Sequence, residues 1–385
     1  MNKKIVLILA AVLMITALPA QNEMYLNLKK VFVSGTITDK TEVIEKAAEY
    51  PGAERLIADG LSFADTNASL FDNEQPMISL AAKAVQNADK CDGAETYNLV
   101  MNIFQKFSDS SVRQAAFNYL LKTKRTSDKT ASIIENYAVT LLNERNDDEG
   151  HLLSCIAVLD KIHSNTSFRV LFDYASSPYL SDEVKSAALA AMNRLTDVYR
   201  ISMLSIITDS PVPNKLSALQ MILENEMNSD ILRAEAAESA LSTSIIHAGD
   251  TFDSSLIDLQ MMALAELRRL SWTKSASLAA DFFSVARSEF EAGNLLPGQF
   301  IEVIESVKEL SVVKAGTLFT DYLNYINANV ENGLSCSVPV VLAVISSLGS
   351  LGDKVAFDAL LYVSYVSYPD EVILASREAL ARLKW

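Results

Sequence analysis

The sequence predicts an all-α fold, a right-handed α-solenoid of roughly nine helical hairpins over residues 38–385. Three observations carry that prediction. Only 12 Gly and 9 Pro occur among 385 residues, too few for an all-β fold that turns about every ten residues. From about Thr38 onward, apolar residues recur with helical rather than alternating spacing. Finally, one core position recurs down the chain at a spacing typical of helical-repeat units.

The first residues read differently. Lys3 and Lys4 precede an uncharged run from Ile5 to Ala17, followed by Leu18-Pro19-Ala20 and the polar Gln21-Asn22-Glu23. Charge, apolar core and small residue in that order are the pattern of a secretory signal peptide over 1–20, with cleavage expected after Ala20. An uncleaved anchor is the alternative. The run is shorter than the roughly 20 residues a spanning helix needs, and Pro19 breaks its end. The expected location is therefore exported, either periplasmic or extracellular, with no transmembrane segment after signal cleavage. A short segment at 21–37 follows, in which Val31–Ile37 (VFVSGTI) is the one strand candidate.

Beyond it, helix starts are marked by Pro or by Ser/Asp caps at Pro76, Ser181-Asp182-Glu183, Pro297, Pro339 and Pro369-Asp370-Glu371. Proline suits a first helical turn because the N–H it lacks would be unbonded there. Self-comparison aligns VIESVKELSVVKAGTLF from Val303 with VISSLGSLGDKVAFDAL from Val344, and more weakly with the segment from Met262. Taking one core position in the second helix of each unit gives Val85, Leu120, Leu159, Met192, Ile222, Leu267, Val307, Leu348 and Leu380, at steps of 30 to 45 residues. A small residue is expected four or five positions earlier, where neighbouring helices approach closely. It is found at Ala81, Ala115/Ala116, Ser154/Cys155, Ala187/Ala188, Ser217/Ala218, Ala263, Ala343 and Ala375/Ser376; the Val307 unit alone has Glu302 and Val303 there.

The last unit, LGDKVAFDALLYVSYVSYPDEVILASREALARL from Leu351 to Leu383, resembles a bacterial HEAT repeat of the phycobilisome-lyase type. The matching positions are Leu351-Gly352-Asp353, Ala356, Leu360-Leu361, Asp370-Glu371-Val372, Ala375 and Ala379-Leu380. DSSVRQAAFNYL from Asp109 and SDEVKSAALAAMNRL from Ser181 resemble the second helix of the same repeat. The Arg that usually follows Val in this pattern stands at Arg113, becomes Lys185, and is Ile373 in the last unit. Tetratricopeptide arrays are less similar, because their fixed period and their Trp and Tyr signature are missing. The resemblance implies a HEAT-like solenoid with a binding surface formed by the second helices. On that surface the candidate binding residues are Arg113, Lys185, Arg194, Arg268, Arg269, Lys308 and Arg377, with Gln114, Asn118, Asn193 and Arg382 beside them. Their basic character hints at a charge-segregated groove.

Composition narrows the functional classes. The net charge is −15, which repels the phosphates of nucleic acid, so no nucleic-acid partner is expected. His151, His163 and His247 are followed by Leu, Ser and Ala. The His-Glu pairs by which HEAT-type hydroxylases hold iron are therefore missing, and no metal or cofactor is expected. His151 and His163 read as solvated or capping residues. The run Glu144–Gly150 lacks the alternating ligands of a calcium loop and reads as a turn capping the next helix. Cys91, Cys155 and Cys336 are an odd number and read as small buried residues, with a reactive or intermolecular thiol as the alternative. Tyr362, Tyr365 and Tyr368 read as terminal packing and Trp385 as a cover over the last repeat. No nucleophile elbow, phosphate loop or redox pair is present. The expected function is an exported, non-catalytic scaffold or adaptor binding a protein partner through its repeat surface. The alternatives are a lyase-like enzyme and a binder of envelope glycan or membrane surface.

Overall fold

The computed structural model describes residues 23–91, 93–246 and 253–384. The expected signal peptide, His247 and Trp385 lie outside them. Among the described residues every regular element is helical, and the fold class is all-α. A lone β-bridge joins Asp353 to Lys384. No described helix is long and apolar enough to cross a membrane. The chain divides into two compact units, Met1–Tyr199 and Arg200–Trp385.

The first unit begins with α1 (23–34), where Val31–Ile37 was expected to form a strand. That expectation is corrected. The alternation of Val31 and Val33 is misleading, because both are exposed while Leu28 and Phe32, four apart, are buried. α1 stops at Gly35, where a Cβ would lie 2.6 Å from the Val31 carbonyl oxygen. Thr36 then opens α2 (Ile37–Glu49) through a capping box with Asp39, worth about 1 kcal/mol. The unit continues as α3 (Arg55–Phe71), α4 (Gln75–Gln86), α5 (Ala94–Lys106), α6 (Ser110–Lys122), α7 (Asp128–Asn143), α8 (Glu149–Ile162), α9 (Phe168–Ser176) and α10 (Asp182–Arg194). Here α2, α4, α6, α8 and α10 each pack on the next of that series, while α3 packs on α5 and α7 on α9. Two layers of helices result, joined as hairpins.

The division falls within α11 (Thr196–Asp209), and the second unit then repeats this order with α12 (Val212–Glu224), α13 (Asp230–Ile246), α14 (Ser254–Arg269), α15 (Ala276–Glu291), α16 (Pro297–Leu310), α17 (Val312–Glu331), α18 (Val338–Leu351), α19 (Phe357–Tyr362) and α20 (Asp370–Leu380). One layer is α12, α14, α16, α18, α20, and the other is α13, α15, α17, α19. Helix starts follow the sequence signals. Proline occupies the first turn of α4, α12, α16 and α18, and side chains of Asp109, Asp148, Ser181 and Asp253 accept first-turn N–H groups.

The nine core positions fall one each on the even-numbered helices α4 to α20. All are buried except the half-buried Leu380. The close-approach position is the residue four before each: Ala81, Ala116, Cys155, Ala188, Ala218, Ala263, Val303, Val344 and Ser376 are all 0% exposed. Ala187, Ala343 and Ala375 stand one place off and are only half-buried. In α18 the buried position is thus Val344 rather than Ala343, so α16 and α18 both use valine.

Several helix ends are closed by lysine side chains. Lys40 Nζ, buried over the rings of Phe32 and Phe63, donates to the carbonyls of Phe32 (2.6 Å) and Gly35 (2.8 Å) at the end of α1. Lys90 donates to the Ala48 carbonyl of α2. Lys161 of α8 donates to the carbonyls of Leu120 (2.8 Å), Leu121 (2.9 Å) and Thr123 at the end of α6. Lys215 reaches the Thr208 carbonyl of α11 at 2.7 Å. An ammonium group satisfies carbonyls that have no intrahelical donor and complements the negative end of the helix dipole.

Candidate functional site

The seven basic candidates sit on even-numbered helices, as expected, but most are engaged within the protein. Arg113 turns inward: its Nε donates to the Phe107 carbonyl at 3.0 Å, and its guanidinium lies 4.2 Å from the centre of the Tyr137 ring. Lys185 lies 3.8 Å from Asp182 of its own first turn. Arg194 of α10 binds both carboxylate oxygens of Asp160 on α8, at 2.7 Å each. Arg268 of α14 binds Glu309 of α16 at 2.9 and 2.7 Å and reaches Glu305 at 3.1 Å. Arg269 binds Glu266 at 2.7 Å through two nitrogens and lies 3.5 Å from Asp230. Lys308 is half-buried and Arg377 exposed, and neither makes an ion pair among the described residues. Of the companions, Gln114 turns inward, Asn193 is half-buried, and Asn118 and Arg382 are exposed.

On this surface Lys185 and Arg269 pair within their own helices, while Arg194 and Arg268 are paired with acids of the neighbouring hairpin. Lys83–Glu45 (2.9 Å), Lys106–Asp65 (2.6 Å) and Lys122–Asp89 (3.3 Å) in the first unit, and Arg200–Glu235 (3.0 Å) in the second, follow the same rule. Each partner lies about one repeat away in sequence. The arrangement specifies which hairpin stacks on which more than it adds stability, since exposed pairs contribute about 0–1 kcal/mol.

One groove does gather several of these residues. Between α14 and α16 lies a cavity of about 620 Å³ whose apolar floor is Met261, Leu264 and Ala265. Glu302, Glu305 and Glu309 form one wall, and Arg268 and Arg269 rim the other. Arg268 holds the Glu309 carboxyl below its usual range, while Glu309 in turn raises Arg268. With both arginines occupied, Glu302 is the carboxylate left without an ion pair among the described residues. Such a groove can receive an apolar side chain flanked by a basic one. Sequence reasoning found its arginines but not the carboxylates that claim them.

A second polar cluster was missed. His151 was expected to be solvated or capping, yet it is 3% exposed. Its backbone N–H is capped by Asp148, as the acidic turn predicted. The ring is enclosed by Phe117 and Tyr137. Nδ1 lies 3.1 Å from Gln114 Oε1 and Nε2 lies 2.8 Å from the Tyr137 hydroxyl. Since Gln114 Nε2 donates to Ser154 Oγ at 2.8 Å, its Oε1 accepts from Nδ1–H, and Tyr137 O–H donates to Nε2. Burial lowers the pKa of His151; Asp148 opposes that shift and Arg113 adds to it. The imidazole is neutral, and Ser154 donates to the Gly150 carbonyl rather than to it. The cluster ties α6, α7 and α8 together.

The tyrosine stripe divides. Tyr368 is buried and donates to Asn327 Oδ1 at 2.9 Å, Tyr362 donates to Glu331 Oε1 at 2.9 Å, and Tyr365 is 76% exposed. Of the cysteines, Cys155 is fully buried, while Cys91 and Cys336 are half-buried. No group of three or more His, Cys, Asp or Glu among the described residues is arranged to hold a metal ion. No protein-family model matches the chain, and no curated protein matches its sequence.

Proposed function

We propose that this chain is an exported, HEAT-like helical-repeat scaffold that binds a protein partner, with the groove between α14 and α16 as its principal contact. The observation that carries this reading is the groove itself. It joins an apolar floor at Met261, Leu264 and Ala265 to a carboxylate wall from Glu302 to Glu309 on the outward side of two stacked helices. Interfaces are commonly built from such an apolar centre with a charged rim. The two-layered hairpin order within each unit, and the repeat resemblance at Leu351–Leu383, support a HEAT-like array. The charged, apolar and small-residue segments of 1–20 support export.

In-cell crosslinking of the tagged chain, followed by mass spectrometry of co-purifying proteins from the envelope fraction, tests the reading. One dominant protein at near-equal amount, crosslinked at Lys308 beside the groove, is the expected result. Ala265→Arg, at the exposed residue of the groove floor, should abolish its recovery while leaving helicity unchanged. A chain recovered alone, or a partner retained by Ala265→Arg, would overturn it.

A further inference from the structure

A second cavity, of about 470 Å³, lies where the ends of α15 and α17 meet the start of α18. One wall is Tyr325 and Ile326, and another is Val340 and Val341. The loop Ser335–Ser337 and the first turn of α18 supply the rest. That first turn is uncapped: the Ser337 hydroxyl makes no capping bond, and Pro339 contributes no N–H. The end of a helix dipole and its free N–H groups favour a negative group.

A separate observation points to a ligand. Tyr322 lines this cavity and is 3% exposed, and its rings of contact are Phe283, Phe300 and Tyr325. No hydrogen bond joins its hydroxyl to another described residue, although buried tyrosines ordinarily find a partner. The polar groups here are the hydroxyls of Tyr322, Ser335 and Ser337, the Asn329 amide, the Cys336 thiol and the free N–H groups of the first turn of α18. The one carboxylate on the wall, Glu291, is taken by Arg287 at 2.7 Å, and that guanidinium covers Tyr325 at 4.1 Å.

We propose that this cavity binds a carboxylate carried on an apolar group. The α18 N-terminus, Ser337 and the Tyr322 hydroxyl hold the carboxylate oxygens, and Tyr325, Ile326 and Val341 receive the apolar part. A peptide C-terminus ending in a bulky residue has this chemistry, and so does a free aromatic acid. The site is separate from the α14–α16 groove and stands or falls independently of it.

Calorimetric titration of the full chain with N-acetylglycyl-L-phenylalanine, its C-terminal amide and 3-phenylpropionate tests the site. The acid peptide should bind and its amide should bind roughly 10-fold or more weakly, because a charge-assisted bond to the helix terminus is lost. Tyr322→Phe, which keeps the ring and its packing, should weaken the acid by roughly 10-fold, and Ser337→Ala should also weaken it. Binding of 3-phenylpropionate as well assigns free acids as ligands; its failure beside a binding peptide assigns peptide C-termini. Equal binding of acid and amide overturns the proposal. So does no binding of any probe at about 1 mM, or unchanged acid binding in Tyr322→Phe.

Discussion

Ala188 and Ala187 are neighbours of identical chemistry in α10, yet the structure gives them opposite tolerances. Ala188 is 0% exposed where α10 packs on α8 and α9, whereas Ala187 is half-buried. Replacing Ala188 by Leu forces three more carbons into a contact with no open side, a change that costs about 1–3 kcal/mol. The same replacement at Ala187 has a path to solvent and should stay within about 0.5 kcal/mol of the parent. The equivalent position of α16 is Val303, also 0% exposed. There Val303→Ala removes two methyl groups, about 1.5 kcal/mol by transfer alone and up to about 3 kcal/mol if the space does not close. Urea unfolding followed at 222 nm reads these differences. Hydrogen exchange resolved by helix should accompany it, because stacked repeats need not unfold in one step. If Ala187→Leu costs as much as Ala188→Leu, the register assigned to α10 is wrong, and with it the rule that the fourth residue before each core position is the close contact.

Three other outcomes are expected. Because burial holds the folded pKa of His151 below its ordinary 6.5, the unfolded chain takes up the proton first on acidification. Stability should then be full above about pH 6.5 and fall below it; a urea midpoint that drops equally between pH 7.5 and 5.5 in the parent and in His151→Gln would refute this. Lys161→Met strips the donors from three carbonyls at the end of α6 and should cost about 1–3 kcal/mol. Faster amide exchange in the last turn of α6 is the signature to look for, and unchanged protection there would count against the role assigned to Lys161. The Cys155 thiol is pushed up to about 12 by complete burial, so iodoacetamide should modify Cys91 and Cys336 in the native protein but reach Cys155 only on unfolding. Native-state labelling of Cys155, located by peptide mass spectrometry, would contradict the packing of α8.

What the sequence could convey depended on range. Helix starts at Pro76, Ser181, Pro297, Pro339 and Pro369 were legible because a cap or a first-turn proline acts within four residues. The ladder from Val85 to Leu380 was legible because repetition makes a long-range fact recur locally. The strand reading of Val31–Ile37 failed because β-branched alternation over a few residues weighs little against the buried pair Leu28 and Phe32. The choice between Ala187 and Ala188 was closed to sequence, since adjacent alanines differ only in what packs on them. The pairing of the basic residues was closed to it for a related reason: Arg194 and Arg268 find their acids 34 and 41 residues away, a distance at which charge pattern carries no pairing information. The neutral, enclosed state of His151 likewise depends on Gln114 and Tyr137 from two other helices.

The lysine that ends α6 bears on the order in which the chain can be assembled. A helix stopped by its own glycine is finished when that glycine has been made. The last turn of α6 instead depends on Lys161, 38 residues beyond Thr123, and that of α2 on Lys90, 42 residues beyond Ala48. During synthesis at about 5–20 residues per second, each of these ends stays open for seconds after its own residues have emerged. A ribosome halted between residues 123 and 161 would hold a helix whose final turn is unlatched, and a fragment cut there would be frayed at a predictable place. In these hairpins the instruction to stop is written one repeat downstream, so no hairpin that relies on it is complete until its successor exists.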